Sequence, residues 1–145
     1  GGPAMLEAAA SAVRAHRERG GTTELLAVTV LTSLDRPSLA RIGSPAEPRD
    51  LALQLARLAQ ECGADGVVCS AQEATSLRLA CGPSFHLLTP GIRPLGAETQ
   101  DQARVATPAQ ALRDGATWLV VGRPITRAED PAAAADAILR EMAAS

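Results

Sequence analysis

The sequence predicts an α/β fold of parallel βα units amounting to about the second half of a (β/α)8 barrel. Three observations lead there. After an opening helix, apolar strand-length runs alternate four times with helix-length segments, the order that builds a parallel sheet. Two segments, Gly63-Ala-Asp-Gly-Val-Val-Cys-Ser70 and Gly115-Ala-Thr-Trp-Leu-Val-Val-Gly122, echo each other as a glycine stop, a short link and a buried strand. The chain has 145 residues, whereas a closed barrel of this kind needs about 250. Gly1-Gly2-Pro3 leads directly into a helix, as the tail of a strand-to-helix loop would. The expectation is one domain over residues 1–145: a barrel lacking its N-terminal half.

The opening helix follows from Met5, Leu6, Ala9, Val13 and His16 at helical spacing, with Pro3 in its first turn and Gly20-Gly21 as its stop. Glu24 to Leu31 is a continuous apolar run, the composition of a parallel strand covered on both faces. A short helical piece near Ser38 to Ile42 leads through the loop Gly43 to Pro48. A longer helix follows over Asp50 to Cys62, with the stripe Leu51, Leu55, Leu58 and Ala59 and the stop Gly63. Asp65 to Cys69 is the second strand. Ser70-Ala-Gln-Glu73 has capping-box spacing, so the next helix runs from Ala71 to about Ala80. Phe85 to Thr89 is the third strand, and Pro90 to Arg104 is a long loop rich in Gly, Pro, Glu and Gln. Thr107-Pro-Ala-Gln110 is a second capping-box sequence, Gly115 a stop, and Thr117 to Val121 the fourth strand. Asp130-Pro131 opens a last helix with Ala134, Ile138 and Met142 on one face.

Composition narrows the function. A net charge of −2 with scattered arginines argues against nucleic acid as a partner, because a phosphate backbone demands a clustered basic surface. No apolar run is long enough to span a membrane, and a cytoplasmic protein is expected. Cys62, Cys69 and Cys81 form no Cys-x-x-Cys pair and read as thiols in a reducing compartment. All 14 basic residues are arginines, and there is no tyrosine. A lysine acid, a Schiff base and a Walker-type lysine are therefore excluded from this chain. His16 lies in the charged stretch Arg14 to Arg19 and His86 within a strand, so no metal site is expected.

In barrels of this class, sites gather on the loops after the strands, with phosphate held after the last two. The candidate loops begin at Thr32, Ser70, Pro90 and Gly122. In Gly122-Arg-Pro-Ile125, glycine permits close backbone approach and Arg123 offers a fork that fits phosphate; a surface arginine in a tight turn is the competing reading. Arg93 arrives from the neighbouring strand end, so that two arginines on adjacent loops would clasp one dianion. Gln102 in the long loop can donate and accept, as a ligand bridge or as a solvated residue. Thr32 would bond a ligand amide or cap the following turn, and Ser70 is assigned to capping. Asp65 and Asp114 flank strand starts, the end of a barrel that serves stability.

Val28-Thr-Val-Leu-Thr-Ser33, Asp65-Gly-Val-Val-Cys-Ser-Ala-Gln-Glu73, Leu88-Thr-Pro-Gly-Ile-Arg-Pro94 and Val121-Gly-Arg-Pro-Ile125 together resemble the bacterial orotidine 5′-phosphate decarboxylases, in order and over essentially the whole chain. The resemblance implies a cofactor-free homodimer that converts orotidine 5′-phosphate to UMP and CO2. It also implies that Gly122 and Arg123 hold the phosphate, Arg93 lines the phosphate end, Gln102 reaches from a lid loop, and Thr32 meets the pyrimidine amide edge. The family's catalytic Asp/Lys array lies in its earlier half, and this lysine-free chain contains none of it. No catalytic residue is therefore assigned here, and the chain alone is expected to be inactive. Two alternatives stay open: another phosphate-binding barrel, such as a hexulose-phosphate synthase or a pentose-phosphate epimerase, and a non-catalytic α/β binding module.

Overall fold

The computed structural model describes residues 1–94 and 105–144. Along the chain run α1 (Pro3–Arg17), β1 (Leu26–Val28), α2 (Arg36–Arg41), α3 (Pro48–Glu61), β2 (Gly66–Val68), α4 (Ala71–Cys81), β3 (His86–Thr89), α5 (Pro108–Arg113), β4 (Trp118–Leu119), α6 (Arg123–Thr126) and α7 (Pro131–Ala143). The four strands form one parallel sheet in the order β1-β2-β3-β4. The expected α/β alternation is therefore present, with shorter strands than the apolar runs suggested. β1 keeps three residues of the run from Glu24 to Leu31, as does the central strand β2 of the run from Asp65 to Cys69.

Register sorts the strand residues into two faces. Ala27, Val67 and Leu87 are neighbours across the sheet and join Leu6 of α1, Ala56 and Ala59 of α3, and Leu77 of α4 in the main core. Their alternating neighbours Val28, Val68, Leu88 and Trp118 form a row on the opposite face. None of these four is buried, and Val28 at the β1 edge is 59% exposed. On that face His86 stacks on Trp118, with ring centroids 4.4 Å apart. Gly66 makes room beside it, since a Cβ there would stand 2.3 Å from the His86 carbonyl oxygen. His86 thus lies half-buried on the open face rather than in the core.

α3 corrects the expected stripe. Its buried line is Ala52, Ala56 and Ala59, with Leu51, Leu55 and Leu58 half-buried beside it. The helix lies close against α4 and β2, and at close approach the small side chains occupy the centre while the leucines spread to the flanks.

The two echoed segments fold alike. Gly63 and Gly115 have φ of +88° and +105°, a conformation glycine adopts without the Cβ penalty. After each, the chain closes a helix-ending bond, Ala64 N–H to Ala59 O and Ala116 N–H to Ala111 O. It then enters the sheet, Asp65 N–H donating to Leu25 O and Thr117 N–H to Leu87 O. The capping box on α4 is complete: Ser70 N–H donates to Glu73 Oε2 at 2.9 Å and Gln72 N–H to Ser70 Oγ. The second is half-made. Thr107 Oγ1 accepts from Gln110 N–H, but the Gln110 side chain turns to Asp114.

Candidate functional site

Because the strands are parallel, their C-terminal ends share one edge of the sheet, and the loops beginning after Val28, Val68, Thr89 and Leu119 emerge together. Thr32, Arg93, Gly122 and Arg123 all follow strand ends on this edge within a few residues. Gln102 lies outside the described residues. Thr32 is buried in the turn closed by Leu34 N–H to Leu31 O. It is not a helix cap. Asp35 does that work for α2, accepting from Ser38 N–H at 2.9 Å, and hydrogen bonds first from the Ser38 side chain and then from its N–H hold the carboxyl below the usual carboxylate range.

Arg93 is the best-framed cation of the edge. Gly91 turns the chain at the end of β3 with φ +77°, as a Pro-Gly turn with glycine third requires. Ile92 then pairs with Ala106 in a parallel bridge, and Arg93 N–H donates to Ala106 O at 2.9 Å. The Arg93 side chain lies back along the chain, Nη1 donating to Ile92 O at 2.8 Å, and the residue is 8% exposed. On the adjacent loop, Gly122 caps the single turn of α6, accepting at its carbonyl from Ile125 N–H and Thr126 N–H. A Cβ on Gly122 would meet nothing within 4 Å, so its backbone is open to close approach. Arg123 opens α6, half-buried.

Other polar residues at this edge escaped the sequence reading. Glu73 is 1% exposed and, with Glu47, Pro48, Arg49 and Gln72, lines a crevice of about 220 Å³. Arg49 bonds Ser76 across α3 and α4. Nothing local marks Glu73 as buried, because its spacing reads only as a cap. The opposite edge is structural, as expected for Asp65. Its carboxylate takes both Arg17 terminal nitrogens, at 2.6 and 3.0 Å, and Leu25 N–H at 2.7 Å. The Arg17 bond holds that carboxyl below its ordinary range. Burial pushes the Cys62 and Cys81 thiols up, which disfavours the thiolate a nucleophile needs. Among the described residues no cluster of three His, Cys, Asp or Glu is placed to hold a metal ion.

Residues 1–138 match the model of the Orotidine 5'-phosphate decarboxylase / HUMPS family. The chain belongs to this family. Among its relatives, a Halorhodospira halophila protein named orotidine 5'-phosphate decarboxylase is 54% identical over 145 residues, covering 100% of this chain and 60% of the relative. One of the same name from Nitrosococcus oceani is 52% identical over 142 residues, 98% of this chain and 60% of the relative. The solved orotidine 5'-phosphate decarboxylase of Lactobacillus acidophilus superposes with a TM-score of 0.70 at 41% identity, over 84% of this chain and 50% of that one. An uncharacterized conserved protein from Geobacillus kaustophilus gives 0.74 at 32%, over 98% and 60%. The chain thus spans about 60% of the length of the curated relatives it matches. Its sheet is part of a (β/α)8 barrel of the decarboxylase family, and the edge carrying Arg93 and Arg123 is the one on which such barrels bind ligands. Two apolar clefts flank the sheet instead of this edge. One of about 360 Å³ lies between α1 and β1, and one of about 430 Å³ between β4 and α7. Both are lined mostly by apolar side chains, without the charged groups that frame the strand-end edge.

Proposed function

We propose that the protein to which this chain belongs is an orotidine 5'-phosphate decarboxylase, forming UMP and CO2, and that this chain supplies its phosphate- and pyrimidine-binding loops. The observation that carries the reading is the pairing of Arg93 and Arg123 on loops after adjacent strands β3 and β4, in a chain about half identical to proteins of that name. Arg123 and the Gly122 backbone hold the phosphate, Arg93 lines its other side, Thr32 meets the pyrimidine amide edge, and Gln102 bridges the two ends. The reading includes a homodimer in the cytoplasm. No membrane-crossing helix occurs among the described residues.

The arrangement separates binding from chemistry. Contacts to a phosphate remote from the reacting carbon fix the pyrimidine in place, and that binding energy is realised in the transition state. Loss of CO2 leaves a carbanion that needs an ammonium to stabilise and protonate it, and this lysine-free chain supplies none. The chain alone is therefore inactive, a statement that turnover of orotidine 5'-phosphate by the purified chain would overturn. In the intact enzyme, Arg123→Ala weakens UMP binding by about 2–5 kcal/mol, the cost of truncating one partner of a hydrogen-bonded charge pair. Isothermal titration measures it, and an unchanged Kd removes Arg123 from the site.

A further inference from the structure

We propose that Ile92 is a positioning residue that sets Arg93 and the Gly122-Arg123 turn into a single anion grip; the inference rests on the phosphate reading above. Ile92 is 0% exposed, and among the described residues it is the one buried member larger than alanine in the cluster it forms with Ala71 and Ala111. That cluster lies beneath three loops of the edge. Ala71 follows the Ser70 cap, Ile92 precedes Arg93, and Val121, packed against the cluster, precedes Gly122. Ala106 packs there too, and its carbonyl takes the Arg93 N–H at 2.9 Å.

Its buried partners are alanines, whose side chains have no rotamers, so the volume and shape of Ile92, with Leu119 and Val121 packed at the cluster's flank, set how far the β3 loop stands from α4 and α5. Arg93, folded onto the Ile92 carbonyl at 2.8 Å, moves with it. A guanidinium recognises a phosphate through paired hydrogen bonds of fixed geometry, which tolerate little displacement. The socket therefore transmits to the phosphate and not to the pyrimidine.

The test compares UMP with uridine, which lacks the phosphate, by isothermal titration on the intact protein to which the chain belongs and on its Arg93→Ala, Ile92→Ala, Ile92→Val and double Ile92→Ala/Arg93→Ala variants. Ile92→Ala is expected to lower UMP affinity about tenfold or more, to change uridine affinity by less than about twofold, and to add nothing to Arg93→Ala. Ile92→Val gives a loss of about threefold for UMP alone, scaled to the single methylene removed. Equal losses for both ligands, or additive effects in the double variant, overturn the positioning role and leave the phosphate reading standing. UMP binding indifferent to Arg93→Ala overturns the phosphate reading itself, and this inference with it. Should circular dichroism show Ile92→Ala unfolded, Ile92→Val decides alone: an unchanged UMP affinity overturns the role.

Discussion

At the scale of single residues, two arginines far from the candidate site do more for the fold than their sequence context indicates. Arg78 donates to the carbonyls of Gly82, Pro83, Phe85 and Gly115, at 2.6–3.0 Å for the guanidinium tips, and to Thr117 Oγ1. It thereby ties the end of α4 to the starts of β3 and β4. Arg78→Met is expected to cost about 2–4 kcal/mol in urea denaturation, since half-buried carbonyls lose a charged donor. Arg78→Lys should recover little, because one ammonium cannot span the planar fork's acceptors. Asp65, tied to Arg17 and Leu25, carries a pH dependence. Its folded pKa is lowered, so its contribution is full above the unfolded value of about 3.9 and is lost as pH falls through it toward the folded value. Urea midpoints should fall less steeply with acid in Asp65→Asn than in the unaltered chain, and equal slopes would assign the loss to other carboxylates. Asp65 was legible as a stability residue from its place before a strand. Arg78 was not, because its acceptors Gly115 and Thr117 lie in a segment brought to it by the sheet, and Gly82, Pro83 and Phe85 lie in the loop beyond its helix.

At the scale of elements, local signals located helices well and their buried faces poorly. Glycine stops at Gly63 and Gly115, the Ser70 and Glu73 box and the Asp130 cap all act locally, through bonds within a few residues. The face of α3 is decided elsewhere. Ala52, Ala56 and Ala59 are 0%, 0% and 1% exposed because α4 and β2 approach on that side, and no rule of periodicity chooses alanine over the adjacent leucines. Ala56→Leu, a gain in apolarity at almost no cost in helix propensity, is therefore expected to destabilise by about 1–3 kcal/mol through overpacking. A lowered thermal midpoint checks it, and a raised one would mean that α3 moves to accommodate the side chain.

At the scale of the molecule, the sheet has one covered face and one that is not. Val28, Trp118 and Val120 are 59%, 39% and 44% exposed, and β1 and β4 each pair on one side only. A contiguous apolar surface of this kind binds hydrophobic dyes. The chain is expected to enhance anilinonaphthalene sulfonate fluorescence, with Val28→Ser and Val120→Ser each reducing it; titration without enhancement would mean that the face is covered in solution. Trp118, the only tryptophan in a chain without tyrosine, reports on the same face.

The sequence by itself determined the alternation of strands and helices, the glycine turns between them and the candidate residues after the strand ends. Those features rest on bonds and periodicities that close within one element, so the residues concerned lie side by side in the chain. Only the tertiary structure decided that α3 buries Ala52 and Ala56 beside Ala59, that Arg78 reaches Gly115 and Thr117, and that Ile92 packs with Ala71 and Ala111 beneath the site loops. Each of these depends on which distant segments the parallel sheet brings together, and that information is spread over the whole chain.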